Sequence, residues 1–296
     1  MLIKLAGREA VLTRTLWLAL AALVCGCATT TQKSVTDWHD AVVAVREQSA
    51  TTFRGVNDLV REAQLKRAAD LANLKEDDFH PGLDAKSIAT WNRALDNLAA
   101  YGASLSALLS PGLASGVGDS TKQLGASIAT SSKSTVFQQQ PGLSSALGKL
   151  GAKLASLSAA QSAQSVMAQT NSAITEVLDQ MARMINDDSS GMETGILQTV
   201  HADWTSRAAD VRAAFLDAKT PADKRDLAAQ YAALLEKRDA ADAALLGLRG
   251  ALLELAVAHS RAAAGGSMDT SALIASIREQ TAFFKGLLQD LKPAKT

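Results

Sequence analysis

From residue 35 onward, apolar residues return at steps of three and four, which lines one face of an α-helix and leaves the other to solvent. Val35, Trp38, Val42, Val45, Phe53, Val56, Val60, Ala63, Leu71 and Leu74 keep this spacing and predict a first helix over about 35–75. Ser34, with Asp37 three residues later, has the form of a starting cap. The polar run Lys75 to Gly82 predicts a turn, and Ile88, Trp91, Leu95, Leu98, Leu105 and Leu109 form a second stripe that Ser110-Pro111-Gly112 interrupts. A weaker helix resumes through Val117, Leu124 and Ile128 and ends at Gln138 to Gly142.

Leu143, Leu147, Leu150, Leu154 and Leu157 alternate steps of four and three, pass through Gln161 and Gln164, and resume at Ile174, Leu178, Met181 and Ile185. This heptad-like seam predicts one helix over about 143–185, closed by Asn186 to Gly191. Leu197, Val200, Trp204, Val211 and Phe215 mark the next. Thr220-Pro221-Ala222-Asp223 is the clearest start in the chain: a capping hydroxyl, proline in the first turn and an acid at the third position. Leu227, Tyr231, Leu234, Arg238, Ala241, Leu245, Leu248, Leu252, Leu255 and His259 then fall four and three apart up to Gly265-Gly266. Leu273, Ile277, Phe284, Leu288 and Leu291 define a last helix before Pro293.

No strand-like alternation competes, so the expected fold class is all-α. Several of these segments exceed 40 residues, roughly 60 Å at 1.5 Å per residue. Short turns between them predict an elongated antiparallel up-and-down bundle with coiled-coil-like helices, forming a single domain over 34–292. The unequal lengths argue against a solenoid repeat. Composition agrees: 47% of residues are hydrophobic but 4% aromatic, which shifts the apolar mass to alanine and leucine, both strong helix formers, and five widely spaced prolines leave long stretches unbroken.

The first thirty residues follow another pattern. Lys4, Arg8 and Arg14 form a basic leader, and Leu16 to Ala28 is an uncharged run of apolar and small residues, too short for a hydrocarbon core that needs about 20 apolar residues. Val24-Cys25-Gly26-Cys27 closes the run and resembles the lipobox of bacterial lipoproteins. That resemblance implies a signal peptide over 1–26, cleavage after Gly26, lipid on Cys27, and a short tether over 27–33. Val24 before Cys25 suits such a cleavage site poorly. Two or three acyl chains, at about 0.8 kcal/mol per buried methylene, would hold the protein durably. The resemblance also implies the outer membrane, because Ala28 rather than an aspartate follows the cysteine.

Without the leader the chain carries 27 basic and 29 acidic residues, so nothing electrostatic favours nucleic acid. Cys27 would be its only cysteine, which leaves stability to packing alone. Asp37-Trp38-His39-Asp40 and His201-Ala202-Asp203-Trp204 pair imidazole with carboxylate, yet on a helix His39 faces away from Asp37 and Asp40, acids expected near a helix start. No His-Glu-x-x-His pair, Gly-x-Ser-x-Gly elbow or phosphate-binding glycine loop occurs. The chain is therefore read as a non-enzyme, with no catalytic residues, metal or cofactor.

Polar residues on the seams are more informative, since a buried polar group must be paired and can fix register or oligomeric state. Arg238, His259 and Asn171 stand out, with Gln161 and Gln164 beside them. Trp38, Trp91 and Trp204 lie on three different stripes and read as core. From Pro111 to Thr175 the only charges are Asp119, Lys122, Lys133, Lys149 and Lys153, a small-residue composition similar to the helical hairpins of α-helical pore-forming toxins. The leading expectation is a lipid-anchored, periplasm-facing module of the bacterial envelope. It would bind membrane lipid through Cys27 and an envelope protein, with room for a homo-oligomer. The alternative is a membrane-active protein that uses 111–175.

Overall fold

The computed structural model describes residues 6–70, 72, 74–110, 114–157, 161–187, 195–266 and 270–290. Side chains are described from Gln32 onward, apart from those of 63, 66, 70, 78, 114–117, 203 and 287–290. Eight α-helices pack together, and no strand occurs among the described residues: α1 (Ala6–Asp70), α2 (Ala85–Leu108), α3 (Ala114–Ser132), α4 (Pro141–Ala155), α5 (Ala163–Ile185), α6 (Gly195–Asp217), α7 (Pro221–Ala263) and α8 (Ser271–Asp290). The fold is all-α, as the periodicity predicts.

Three boundaries differ from expectation. Ser34 is not a helix start, because α1 runs through it from Ala6 and the expected tether at 27–33 is helical. No proline precedes Pro81, and the leader is rich in alanine and leucine, so nothing stops the helix. Asp37 and Asp40 consequently lie in mid-helix. At its other end α1 stops at Asp70, where Ala72 turns the chain with a left-handed φ of 46°. Leu71 falls outside the described residues, and Leu74 is 79% exposed. Asn57 then pins the connection, its Nδ2 donating to Leu83 O and its Oδ1 accepting from Leu83 N at 3.0 and 2.7 Å.

The seam read as one helix over 143–185 is two helices, α4 and α5. Ser162 starts α5 by accepting from Ser165 N at 3.2 Å. The two run antiparallel, with Lys149 paired to Glu176 at 2.6 Å and Gly142 beside Gln180. Their leucines keep phase because both helices bury the same stripe: Leu143, Leu147, Leu150 and Leu154 are at most 1% exposed, and Ile174, Leu178, Met181 and Ile185 are fully buried. Only α1 and α7 exceed 40 residues.

Cross-helix bonds give the directions. Along α7, Gln164 meets Ala262 and Ala263, Arg249 meets Asn186 O, and His201 meets Asp242. Thus α5 and α6 lie end to end, both antiparallel to α7, and the chain does not reverse between them as an up-and-down order requires. α2 runs antiparallel to α1, with Trp91 on Phe53 and Asp96 paired to Arg46. α8 runs parallel to α1, since Thr270 Oγ1 donates to Asp37 O and Gln48 Nε2 to Gln280 Oε1.

In the α3–α4 pair the two helix backbones come into direct contact. A Cβ on Gly125 would stand 2.5 Å from Ala155 N, and one on Gly151 would stand 2.6 Å from Ala129 N and 2.7 Å from Gly125 O. Backbone cannot step aside as a side chain can. Gly151→Ala is expected to destabilise the fold by about 2 kcal/mol, measured by urea unfolding; an unchanged midpoint would show that the two helices separate freely.

Candidate functional site: a buried polar cluster

About two turns or less from the C-terminal ends of α2 and α7 and from the N-terminal end of α5, four helices bring polar side chains into the core. α7 contributes His259, which is fully buried. Its Nδ1 lies 2.8 Å from Asn171 Oδ1 of α5, and its Nε2 lies 3.0 Å from the hydroxyl of Tyr101 on α2. Asn171 Oδ1 also accepts from Ser260 Oγ at 3.1 Å, so it serves as the acceptor and His259 carries its proton on Nδ1. Nε2 then accepts from Tyr101. The Tyr101 oxygen in turn lies 2.7 Å from Thr170 Oγ1, whose proton is shared with Val166 O at 2.8 Å.

Trp38 of α1 closes the cluster. Its ring meets Tyr101 edge-on at 5.7 Å and His259 at 5.3 Å, and its Nε1 donates to Leu255 O at 3.2 Å. Such contacts combine large apolar burial with a satisfied donor. Burial holds His259 far below the ordinary imidazole range, at about 3, because the cation would lose its water. The same desolvation raises the Tyr101 phenol. Near neutral pH both are uncharged hydrogen-bonding groups.

Two of the three residues singled out on the seams therefore meet, and one does not. His259 and Asn171 bond to each other across α5 and α7. Arg238 is on the surface, turned to the neighbouring Asp239, with Nη2 2.7 Å from Oδ1. That part of α7 has too few neighbours for its seam to be closed: Leu227, Tyr231 and Leu234 are only half-buried. Gln164 donates to the last carbonyls of α7 at 3.0 Å and so caps that helix, while Gln161 accepts from Gln169 Nε2.

Tyr101 and Thr170 were not singled out by the sequence reading. Both sit in gaps of a stripe, Tyr101 between Leu98 and Leu105 and Thr170 ahead of Ile174, where the 3–4 rhythm requires an inward residue. Filling those gaps would have found them.

The remaining candidates stay apart. His39 packs against Gly102 of α2 with its Nδ1 3.3 Å from Asp40 Oδ1, so it does reach a neighbouring acid. His201 faces Asp242 at 2.7 Å on α7. Among the described residues no three His, Cys, Asp or Glu side chains gather as a metal site. The side chain of Cys27 lies outside the described residues. No family model, curated protein or solved structure matches the chain.

What the cluster can do chemically is hold four helices in one register. Its polar atoms meet partners at fixed heights, and sliding α5 past α7 by a turn would strand buried donors and acceptors at about 1–3 kcal/mol each.

Proposed function

We propose that this chain is a lipid-anchored helical-bundle lipoprotein of the bacterial envelope. It faces the periplasm from the outer membrane and serves as a structural or protein-interaction module. The observation that carries the reading is the continuity of α1. One helix bears Val24-Cys25-Gly26-Cys27 and, beginning seven residues later, the buried face of Ser34, Val35, Trp38 and Val42. A lipid on Cys27 would stand about 10 Å along the helix from the first core residue. The bundle would then rest against its bilayer and present its far end to a partner. Cys27→Ser is expected to move the protein from the membrane to the soluble fraction, whereas Cys25→Ser keeps it bound; retention of the Cys27 variant would remove the anchor from the account.

Membrane activity of 111–175 is the second reading, supported by the backbone contact between Gly125 and Gly151. Against it, the leucines of α4 and Ile128 of α3 are sealed in the common core, and no helix among the described residues is long and apolar enough to cross a membrane. Dye release from liposomes by the purified protein would favour this second reading.

A further inference from the structure

We propose that the groove between α1 and α8 is the face on which a second copy of this chain docks, about a two-fold axis that runs along the two helices. The groove encloses about 450 Å³. Val43 and Ala44 of α1 and Ile274 and Ile277 of α8 line it. Its rims are charged with opposite sign. Asp40 and Glu47 stand seven residues apart on the α1 side, and Arg278 and Lys285 seven apart on the α8 side. Seven residues are two helical turns, so each pair forms a ridge like the charged flanks that choose partners in coiled coils.

The two ridges do not neutralise each other within one chain. Glu47, Arg278 and Lys285 have no ion-pair partner among the described residues. Gln48, 1% exposed, lines the groove and keeps its Oε1 buried without a hydrogen-bond partner. An unmet buried acceptor is costly, and a turn of the Gln48 side chain toward a layer laid over the groove would offer it a donor.

Symmetry selects the occupant and its direction. α1 and α8 are parallel, with Asp37 level with Thr270 and Gln48 level with Gln280. Glu47 and Arg278 therefore differ in height by about one residue, roughly 1.5 Å. Rotation about an axis along the groove sets Glu47 of each copy opposite Arg278 of the other, on both sides, while Asp40 and Lys285 lie beyond this pair toward opposite ends of the groove. An axis across the groove would instead lay acid on acid. The surface is thus self-complementary in one sense only, as a closed two-fold interface must be. The same axis leaves both N-termini at one end, so two lipids can enter one bilayer; that point alone rests on the anchor reading.

The test uses the full chain in mild detergent, with mass measured by sedimentation velocity. The unaltered protein is expected to dimerise. Glu47→Lys alone and Arg278→Glu alone should each weaken the dimer at least about tenfold by setting like charges together. Mixed together, the two variants should form a heterodimer, because the two reversed side chains then face each other with opposite charge while the native Glu47 and Arg278 still pair on the other side of the axis. Both positions are exposed, so folding should survive, and Glu47→Gln and Arg278→Gln replace any reversal that fails to fold and should weaken the dimer less. A protein that is monomeric at every concentration, a dimer indifferent to these changes, or a mixture that stays monomeric would overturn the proposal. Cys27→Ser leaves this readout unchanged, so failure here is separate from failure of the anchor.

Discussion

Replacing Trp38 with alanine is expected to destabilise the protein by about 4 kcal/mol, the middle of the range for emptying a large buried aromatic site. The ring is fully buried between α1, α2 and α7 and covers Tyr101 and His259, so its loss leaves a cavity beside polar groups rather than an apolar void. Trp38→Phe keeps much of the volume but removes the donor to Leu255 O, and should cost only about 1 kcal/mol. Denaturant midpoints of the two variants test the ordering. Equal losses would mean that the indole bond, not the packing, holds α1 to α7.

Acid should weaken the fold through His259. Unfolded, the imidazole takes its proton near the ordinary 6.5; folded, it resists until about 3. Between these values the unfolded state binds more protons. Stability is thus fully present above about pH 6.5 and is lost progressively as pH falls toward 3. The loss from this one group amounts to about 3 kcal/mol at pH 4. Carboxylates contribute their own pH dependence, so the informative comparison is with His259→Gln, which keeps a polar side chain but cannot titrate. The variant is expected to be less stable at pH 7 and to lose distinctly less than the parent between pH 7 and pH 4. Parallel curves for the two proteins would show that folding does not lower the affinity of His259 for its proton.

Much of this architecture is legible in the order of apolar residues. The α7 start at Thr220 was readable because capping is local chemistry: Thr220 Oγ1 accepts from Asp223 N at 3.1 Å, with Pro221 in the first turn. His259 and Asn171 were readable because a polar residue in a regular seam stands out. The break between α4 and α5 was not, since periodicity records which face is buried and says nothing of where the chain reverses. Ser156 ends α4 and Ser162 starts α5, and the sequence between them has neither glycine nor proline. The position of Arg238 was hidden for a related reason. Its spacing is that of a core residue, but burial depends on how many helices reach that height, which is a property of the neighbours' lengths.

The end-to-end placement of α5 and α6 makes α7 a splint across a joint. The half of the splint beside α5 is clamped, with Leu245, Leu248, Leu252 and Leu255 fully buried, whereas the half beside the outer part of α6 is held by half-buried residues, with Leu216 70% exposed near the tip. One unbroken helix therefore has two firmnesses. Thermal fraying begins at the loose tip and dies out before the clamp, so that whatever grips the tip can reshape it without disturbing the register set around His259.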